Sequence, residues 1–414
     1  MSYREIDLDL TDEQLHLRNT LRRFGAEVLR PTGIALDKLH DPVEVIADGS
    51  ALWDCFKKLR ELDMHKMGIP KQYGGVLEDM DPRSRYLMGE EMGYADAGLA
   101  ISMGASGLPF GVAGALAPWF PDKKFLQDFL HEYLEDSTGK VIGCWAITEP
   151  DHGSDWMLGL ENPACGPSLR GELKKDRYVI DGQKAAWVTN GNIATHAMLH
   201  VGLHPEKGMK GQGLALIKLD LPGISRGKPL DKMGQRPLNQ GEIIFEEVEI
   251  PQENMVLRPE MMESLGMEAK ILAQANGGMA GVFAGLAKAA FDEAYAYAKE
   301  RVQGGVPIIQ HQNIKLKLFR MFTMVETSRA AARRVSLYNA ANQENPSVAH
   351  AVACKILSTE TAFEVASEAI QIFGGNGLSR EYPVEKMFRD ARAAMIEDGV
   401  NETLAIGAMD YLER

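Results

Sequence analysis

Two adjacent acids, Glu397 and Asp398, stand just before Gly399 at the end of a segment that contains two helix-like stretches. Burying a carboxylate costs free energy, and burial raises the pKa of the acid toward neutrality. An acid with a raised pKa can serve as general base for a weak carbon acid. A solvated pair at a helix end has no such role. The residues alone leave both interpretations open.

Two short segments contain side chains suited to holding a flat, redox-active ring. Such a ring needs an apolar wall and a few placed hydrogen bonds to its heteroatoms. The side chains are Trp145, Thr148 and Ser154 in residues 143–156, and Trp187 and Thr189 in residues 187–191. Taken singly, each segment also fits an ordinary polar loop or a core tryptophan followed by a turn.

A third candidate is the glycine-rich run 374–377, GGNG, which fits either a close approach to a phosphate or a helix C-cap. The chain has no G-x-G-x-x-G motif after a strand and no P-loop, so a Rossmann-type nucleotide site is unsupported. His196, His200 and His204 lie four residues apart in a region of predicted strands and turns, so we assign them no metal.

Composition narrows the class of protein. The 414 residues are 45% hydrophobic and 25% charged, with a formal net charge of -13, which disfavours nucleic acid as the main partner. Four widely spaced cysteines suggest free thiols in a reducing compartment, and we expect a cytoplasmic protein. The acidic N-terminus does not resemble a signal peptide, and we expect no membrane span.

The elements that must position these residues fall into three predicted parts. Residues 1–140 read as helical: Thr11 and Gln14 form a capping box for a helix that should stop before Pro31, and further helices are expected at 50–63, 83–95 and 123–135. Residues 141–260 read as a small β domain, with a hairpin turn at Asp181-Gly182 and strands at 214–219 and 242–250. Residues 261–414 read as a four-helix bundle.

Together, these segments resemble the acyl-CoA dehydrogenase family. The similarity lies in AITEPDHGSDW at 146–156, WVTNG at 187–191, ERVQGG at 300–305 with Gln312, and QIFGGNG…EYPVEK…RDAR…DG in 371–399. It implies a mainly α fold with an N-terminal helical domain, a middle β-barrel or sandwich domain and a C-terminal four-helix bundle. It also implies FAD, an acyl-CoA substrate, an electron-transfer flavoprotein as acceptor and a homotetramer or dimer.

The resemblance implies a role for each site residue. Trp145 and Thr148 would face the isoalloxazine, Ser154 would lie near the thioester ligand or the flavin phosphate, and Trp187 and Thr189 would close the other side of the ring. The residues expected on the adenine side, partly from a neighbouring subunit, are Arg301, Gln312, Gln371, Gly374, Gly375 and Glu402. Asp398 falls where the family usually has its catalytic Glu, with Glu397 as the alternative base.

Several positions depart from the family pattern. Asp398 is one methylene shorter than Glu, which removes roughly 1.5 Å of reach. The stretch Gln274-Ala275-Asn276 lacks the base that some relatives carry there, and Asn276 replaces a common Arg. The usual Gly-Ala of the first signature is Asp151-His152, a Phe on the flavin side is replaced by Gly304, and residues 157–173 differ from the compact form that is expected.

The implied reaction is α,β-dehydrogenation of an acyl-CoA to the 2-enoyl-CoA. Asp398 would take the α-proton, the β-hydrogen would leave as hydride to flavin N5, and hydrogen bonds to the thioester carbonyl would stabilise the enolate. Because Asp also occurs in relatives of other chemistry, a flavin oxidase like the nitroalkane oxidases, or a dehydrogenase of unusual acyl groups, remains an alternative. A non-catalytic flavoprotein of the DNA-binding alkylation-response branch is a remote one, since that branch needs a basic face.

Overall fold

The computed structural model describes Tyr3, Glu5, Ile6 and residues 10–120 and 124–412. Its first part is helical. Within it, the helix Pro82–Ala95 packs against the C-terminal helical part, and the helix Ala97–Leu116 packs mainly against the first strand of the middle part. The helices in order are α1 (Asp12–Phe24), α2 (Arg30–Asp37), α3 (Pro42–Ile46), α4 (Ala51–Glu61), α5 (Pro82–Ala95), α6 (Ala97–Leu116) and α7 (Lys124–Leu134).

The capping box at Thr11 is confirmed. The Thr11 hydroxyl accepts the Gln14 N–H, and the Gln14 side chain accepts the Thr11 N–H. The predicted stop before Pro31 is wrong. Residues Gly25–Leu29 widen into a π-helical turn, and α2 continues directly through Pro31. Pro31 directly follows the π-helical turn, where the altered hydrogen-bond pattern lets the chain pass a residue that has no N–H.

Helix α6 was not expected from the sequence. Gly98, Gly104, Gly107, Gly111 and Pro109 give this segment poor intrinsic helix propensity, so packing forms the helix here. The small residues allow close packing: a Cβ on Gly143 of the following strand would meet the Ser106 carbonyl at 2.6 Å. The stretch Ala97–Trp119 is long and apolar enough to cross a membrane, by length and composition only, and 56% of its most apolar window is buried inside the protein, as in the core helix of a globular domain.

The middle part is a mixed sheet built entirely from described residues. Strand β1 pairs in parallel with β4, and the path through the other strands is β6-β7-β3-β2-β4-β5-β8. One face packs a core that includes Ile180, Ile217 and Phe245. The strands are β1 (Gly143–Ala146), β2 (Arg170–Lys174), β3 (Arg177–Lys184), β4 (His196–Gly202), β5 (Gln212–Lys218), β6 (Ile224–Arg226), β7 (Ile243–Pro251) and β8 (Met255–Leu257).

The predicted hairpin turn at Asp181-Gly182 is wrong. The β2–β3 turn lies earlier, where Lys175 takes a φ of +60°. Asp181 and Gly182 instead lie inside β3, opposite a bulge of β7 where the register shifts. In that bulge Glu247 has a φ of +49° and donates its N–H to Asp181 Oδ1 at 2.7 Å, while Gly182 on β3 has a φ of +132°. An Asp-Gly pair fits a tight turn, but it also fits a strand position where Gly takes a positive φ and the Asp side chain bonds a bulge on the neighbouring strand, so the pair alone did not distinguish them.

The last part is helical and contains the longest helices. Helix α9 packs against α5, α10 and α11, and α11 also packs against α12 and α13. The elements are α8 (Pro259–Ser264), α9 (Met267–Glu300), the short strands β9 (Val302–Gln303) and β10 (Val306–Pro307), α10 (Gln312–Ala341), α11 (Val348–Phe373), α12 (Val384–Ala394) and α13 (Asn401–Met409). The predicted fold class is confirmed: a helical domain, a β domain and a helical bundle follow one another.

Candidate functional site

The acid pair lies in the tight connection between α12 and α13. Asp398 has a φ of +51° and Gly399 a φ of +97°, so two successive residues occupy the left-handed region. Such a conformation is costly for a residue with a side chain and persists only where surrounding contacts hold it. We call residues 397–401 the acid turn. Its contacts come from the β domain and from α11.

Glu397 is held by the β domain. The Gln235 side-chain amide donates a 2.5 Å hydrogen bond to Glu397 Oε1, and the same amide reaches the Asp390 carbonyl at 3.3 Å. The Gln235 backbone N–H also donates to the Asp390 carboxylate. Desolvation raises the pKa of Glu397 to about 7, against the lowering effect of the Gln235 hydrogen bond. Glu397 is therefore held in one orientation, and its pKa lies near neutral pH.

Asp398 differs from its neighbour. The described residues provide no hydrogen bond to its carboxylate. The side chain is accessible, yet enough protein surrounds it that desolvation raises its pKa, while the nearby Lys355 ammonium works in the opposite direction. An accessible carboxylate with a raised pKa and no bonded partner is free to accept a proton from a ligand.

Ser154 reaches the acid turn from the β domain. Its hydroxyl accepts the Val400 N–H at 3.0 Å, next to the second residue of positive φ. The Ser154 loop is anchored behind by Glu149, whose carboxylate accepts from Lys184 Nζ at 2.7 Å and from the Leu169 N–H at 3.2 Å. Ser154 and Val400, which are 246 residues apart, are therefore joined by a hydrogen bond between a side chain and the backbone.

Trp145 lies on β1 with its indole fixed from behind. Its Nε1–H donates to His200 Nε2 at 2.9 Å, and His200 Nδ1 lies 2.5 Å from Gln212 Oε1. Burial lowers the pKa of His200 to about 3, so the imidazole is neutral, accepts at Nε2 and donates from Nδ1. His200 thus orients an aromatic wall. Thr148 lies three residues on, where its carbonyl accepts the Ala185 N–H.

Trp187 and Thr189 lie on the stretch after β3. The Trp187 side chain is 59% exposed, unusual for a tryptophan and suited to covering a ligand. The Gln240 amide donates to the Trp187 carbonyl at 3.0 Å, and Thr189 pairs with Gln240 in an isolated bridge. Lys232 Nζ bonds Gln240 Oε1 at 2.9 Å. Residues 232–240 therefore link the Trp187 segment to Glu397 through Gln235.

The residues expected on the adenine side lie elsewhere. Arg301 caps α9, Gln312 begins α10, and Gln371 precedes the exposed turn of Gly374 and Gly375 at the end of α11. Sixteen residues along α11, at about 1.5 Å each, separate Gln371 from the level of Lys355, or about 24 Å. Gln371, Gly374 and Gly375 therefore lie far along α11 from the acid turn of the same chain. Glu402, exposed on the first turn of α13, is on the acid-turn side instead.

The glycine turn leaves room for a ligand. A Cβ on Gly374 or on Gly375 would meet no atom within 4 Å. Behind it, the rings of Tyr297 and Phe373 stack with centroids 4.0 Å apart, and the Asn376 amide bonds the Tyr297 hydroxyl at 3.0 Å. An open glycine backbone on a rigid aromatic support fits the close approach of a phosphate or ribose, and an exposed Trp187 with a braced Trp145 fits a flat ring.

Sequence reasoning missed the residues that support the acid turn. These are Lys232, Gln235, Lys355 and Asn401. Lys355 had a recognisable signal, because it is a single charge inside the apolar stretch 348–358. At the departure noted on α9, Asn276 is fully buried, its amide bonds the Leu272 carbonyl, and its Oδ1 has no partner among the described residues.

Known proteins resemble this chain in each of its three parts. Sequence models of the acyl-CoA dehydrogenase N-terminal, middle and C-terminal domains match residues 11–113, 144–248 and 267–408. The probable acyl-CoA dehydrogenase YngJ of Bacillus subtilis is 31% identical over 405 residues, covering 96% of this chain and 97% of the relative. Cyclohex-1-ene-1-carbonyl-CoA dehydrogenase of Syntrophus aciditrophicus is 30% identical over 403 residues, covering 95% and 88%.

A solved structure extends the likeness to the whole fold. Butyryl-CoA dehydrogenase from Megasphaera elsdenii superposes with a TM-score of 0.83 at 30% identity, covering 99% of this chain and 100% of that chain. Three domain matches in the expected order, together with full-length relatives at 30% identity, determine the family. The chain belongs to the acyl-CoA dehydrogenase family and is an oxidoreductase that acts on acyl-CoA.

Proposed function

We propose that this protein removes hydrogen from the α and β carbons of an acyl-CoA thioester to give the 2-enoyl-CoA, with Asp398 as the base. The observation that carries the proposal is the contrast within the acid turn. Glu397 is bonded to Gln235, whereas Asp398 is accessible, has no bonded partner among the described residues and has a raised pKa. Of the two acids, Asp398 is the one free to meet a substrate.

The chain's own residues supply positioning and proton transfer. Asp398 takes the α-proton, and the fixed acid turn sets the direction of approach. The walls formed by Trp145 and Trp187 exclude water, which strengthens the electrostatic effects inside the site. FAD, when bound, accepts the β-hydrogen as hydride. We place its ring against Trp145, Thr148, Trp187 and Thr189, with Ser154 on the side of the acid turn.

We propose further that the adenine half of FAD binds Arg301, Gln312, Gln371, Gly374 and Gly375 of a neighbouring subunit. The separation of about 24 Å along α11 and the open glycine turn support this arrangement. It requires at least a dimer, and a homotetramer accommodates two such pairs. A cytoplasmic location and reoxidation by an electron-transfer flavoprotein complete the proposal.

The identity of the acyl group is to be found by experiment. One relative acts on a cyclic acyl group, as its name states, and Gly104 on α6 has no atom within 4 Å of an added Cβ. We therefore include cyclic thioesters among the candidate substrates. Anaerobic bleaching of the bound flavin by straight, branched, cyclic and aromatic acyl-CoAs identifies the substrate.

The test of the base compares two variants that differ by one position. In anaerobic stopped-flow, Asp398→Asn should abolish rapid flavin reduction by the best acyl-CoA, whereas Glu397→Gln should retain most of it. The FAD content of both variants is the control. If Asp398→Asn reduces the flavin as fast as the unmodified enzyme, Asp398 is not the base.

A flavin oxidase is the second candidate, favoured by the short acid at position 398. In an oxidase, oxygen reoxidises the reduced flavin directly. Peroxide formed per substrate consumed, measured in air with and without an artificial electron acceptor, separates the two activities. A DNA-binding role finds no support in a net charge of -13, and salt-sensitive retention on duplex DNA tests it.

A further inference from the structure

Lys355 is a fully buried lysine next to the acid turn. It lies on α11 with no exposed surface, and its Nζ donates to the Gly399 carbonyl and to Asn401 Oδ1, each at 2.8 Å. Both acceptors are neutral. A buried ammonium without a bonded carboxylate is costly, and the other buried lysines with ion pairs, such as Lys184 with Glu149, avoid that cost.

The two hydrogen bonds act on the part of the turn that needs support. Gly399 has a φ of +97° and directly follows Asp398, so fixing its carbonyl fixes the peptide that carries the acid. Asn401 in turn donates from Nδ2 to Thr359 Oγ1 at 3.1 Å, one helical turn along α11 from Lys355. Helix α11 therefore holds the acid turn at two points, while Ser154 holds it from the β domain.

The ammonium also acts through its charge. Asp398, Glu397 and Glu402 all lie within its electrostatic reach, and burial lowers the pKa of Lys355 to about 8 against their attraction. Lys232 is the other cation that faces the pair, and its effect falls on Glu397. For Asp398 the opposing cation is Lys355. A thioester that fills the site displaces water and further disfavours an ionised base, and a fixed positive charge offsets this.

We propose that Lys355 is a positioning residue that fixes the acid turn and keeps Asp398 ionised when an acyl-CoA displaces water from the site. The proposal deepens the proposed function and rests on Asp398 as base. It assigns to Lys355 two separable effects, one of geometry through the Gly399 carbonyl and one of charge on Asp398.

The charge effect can be measured without substrate. In the FAD-loaded enzyme, an infrared pH titration of the carboxyl C=O stretch, minus the same titration of Asp398→Asn, isolates the protonation of Asp398. Lys355→Met should move the Asp398 midpoint to higher pH. Lys288→Met is the matched control, because Lys288 is also buried but pairs with Asp292 at 2.8 Å on α9; it should leave the midpoint in place.

Two further variants separate the effect of the Lys355 charge from its effect on the geometry of the acid turn. They also test the proposal if Lys355→Met does not fold. Lys355→Arg keeps the charge and should keep the Asp398 midpoint while lowering the rate of flavin reduction. Asn401→Asp keeps an oxygen acceptor beside Lys355 but neutralises its field, and should move the Asp398 midpoint upward as Lys355→Met does.

The pH profile of flavin reduction gives an independent readout. Loss of charge should reduce the rate at acidic pH and let it recover at alkaline pH, tenfold for each unit by which the midpoint moves. A purely structural role lowers the rate evenly across pH.

An unmoved midpoint in both Lys355→Met and Asn401→Asp overturns the proposal. Failure of the proposed function gives a different result: Asp398→Asn then reduces flavin normally, whatever Lys355 does to the titration.

Discussion

The two ends of α11 support two different kinds of turn. Near its beginning, Lys355 and Thr359 hold the acid turn, which Ser154 and Gln235 also hold from the β domain. At its end, Gly374 and Gly375 are exposed, with open space where side chains would be. The acid turn is held entirely by contacts within this chain. The glycine turn at the end of α11 is open to a ligand or to a second chain.

The difference matches two different tasks. A base must approach one carbon–hydrogen bond in one direction, and an error of about 1 Å costs on the order of 100-fold in rate. A backbone that cradles a phosphate needs closeness and exposed N–H groups more than a unique side-chain direction. Rigid support therefore belongs at the acid turn, and open glycine belongs where the cofactor is proposed to cross between subunits.

Lengthening the acid tests the rigidity of the acid turn. Asp398→Glu restores the side-chain length that is usual in the family, but the turn held by Lys355 and Ser154 places the longer acid roughly 1.5 Å too far. We expect flavin reduction to slow on the order of 100-fold in anaerobic stopped-flow. FAD content and melting temperature should not change. A rate equal to that of the unmodified enzyme would mean that the turn adjusts, and the contrast between the ends of α11 would fail.

The open end is tested by filling it. Gly375→Ala places a methyl group in space that the chain leaves empty, so folding stability should hold. If a phosphate of FAD approaches this backbone, the methyl group obstructs it, and we expect FAD to dissociate about tenfold more readily, equivalent to about 1.4 kcal/mol. Flavin fluorescence during dilution measures the release. Unchanged FAD affinity would remove the cofactor from this turn.

Gly374→Ala is the comparison at the neighbouring position. Gly374 has a φ of +61° and a ψ of -138°, a conformation that L-residues avoid. This variant should therefore lose thermal stability as well as FAD affinity. Comparing the two variants therefore separates the effect of backbone strain on stability from the effect of an obstructed phosphate on FAD affinity.

Sequence patterns predicted the elements that depend on local signals. The capping box at Thr11 and the helical character of residues 261–414 depend on side chains close in sequence, and the structure has both. Helix α6 was missed because its glycines and Pro109 oppose helix formation locally, whereas packing against β1 favours it. The Asp181-Gly182 pair predicted a turn but lies inside β3, opposite a bulge of β7, because the pairing of β3 with β7 depends on residues far away in sequence.

In the candidate site, too, local sequence patterns did not predict contacts between residues that are far apart in the chain. Motifs identified the acid pair and the tryptophan segments, because the chemistry requires those residue types. They did not identify what distinguishes the two acids. The Gln235 amide that bonds Glu397 is 162 residues away in sequence, and Lys355 beside Asp398 is more than 40 residues away. Contacts of such separation have no local signature in one sequence.

Glu397 belongs to the fixed support of the acid turn rather than to the chemistry, so its replacement should have a modest effect. Its pKa is raised to about 7 in the folded protein, so between its ordinary value and about 7 the folded state binds more protons than the unfolded state. Stability must therefore fall as pH rises through that window. Glu397→Gln cannot ionise and still accepts from Gln235. We expect it to be more stable than the unmodified protein at pH 8 by about 1 kcal/mol, a figure reduced by partial solvent exposure, and nearly equal at pH 4.5. Urea unfolding at both pH values measures the difference, and a pH-independent difference would show that burial does not raise the pKa of Glu397 in the folded protein.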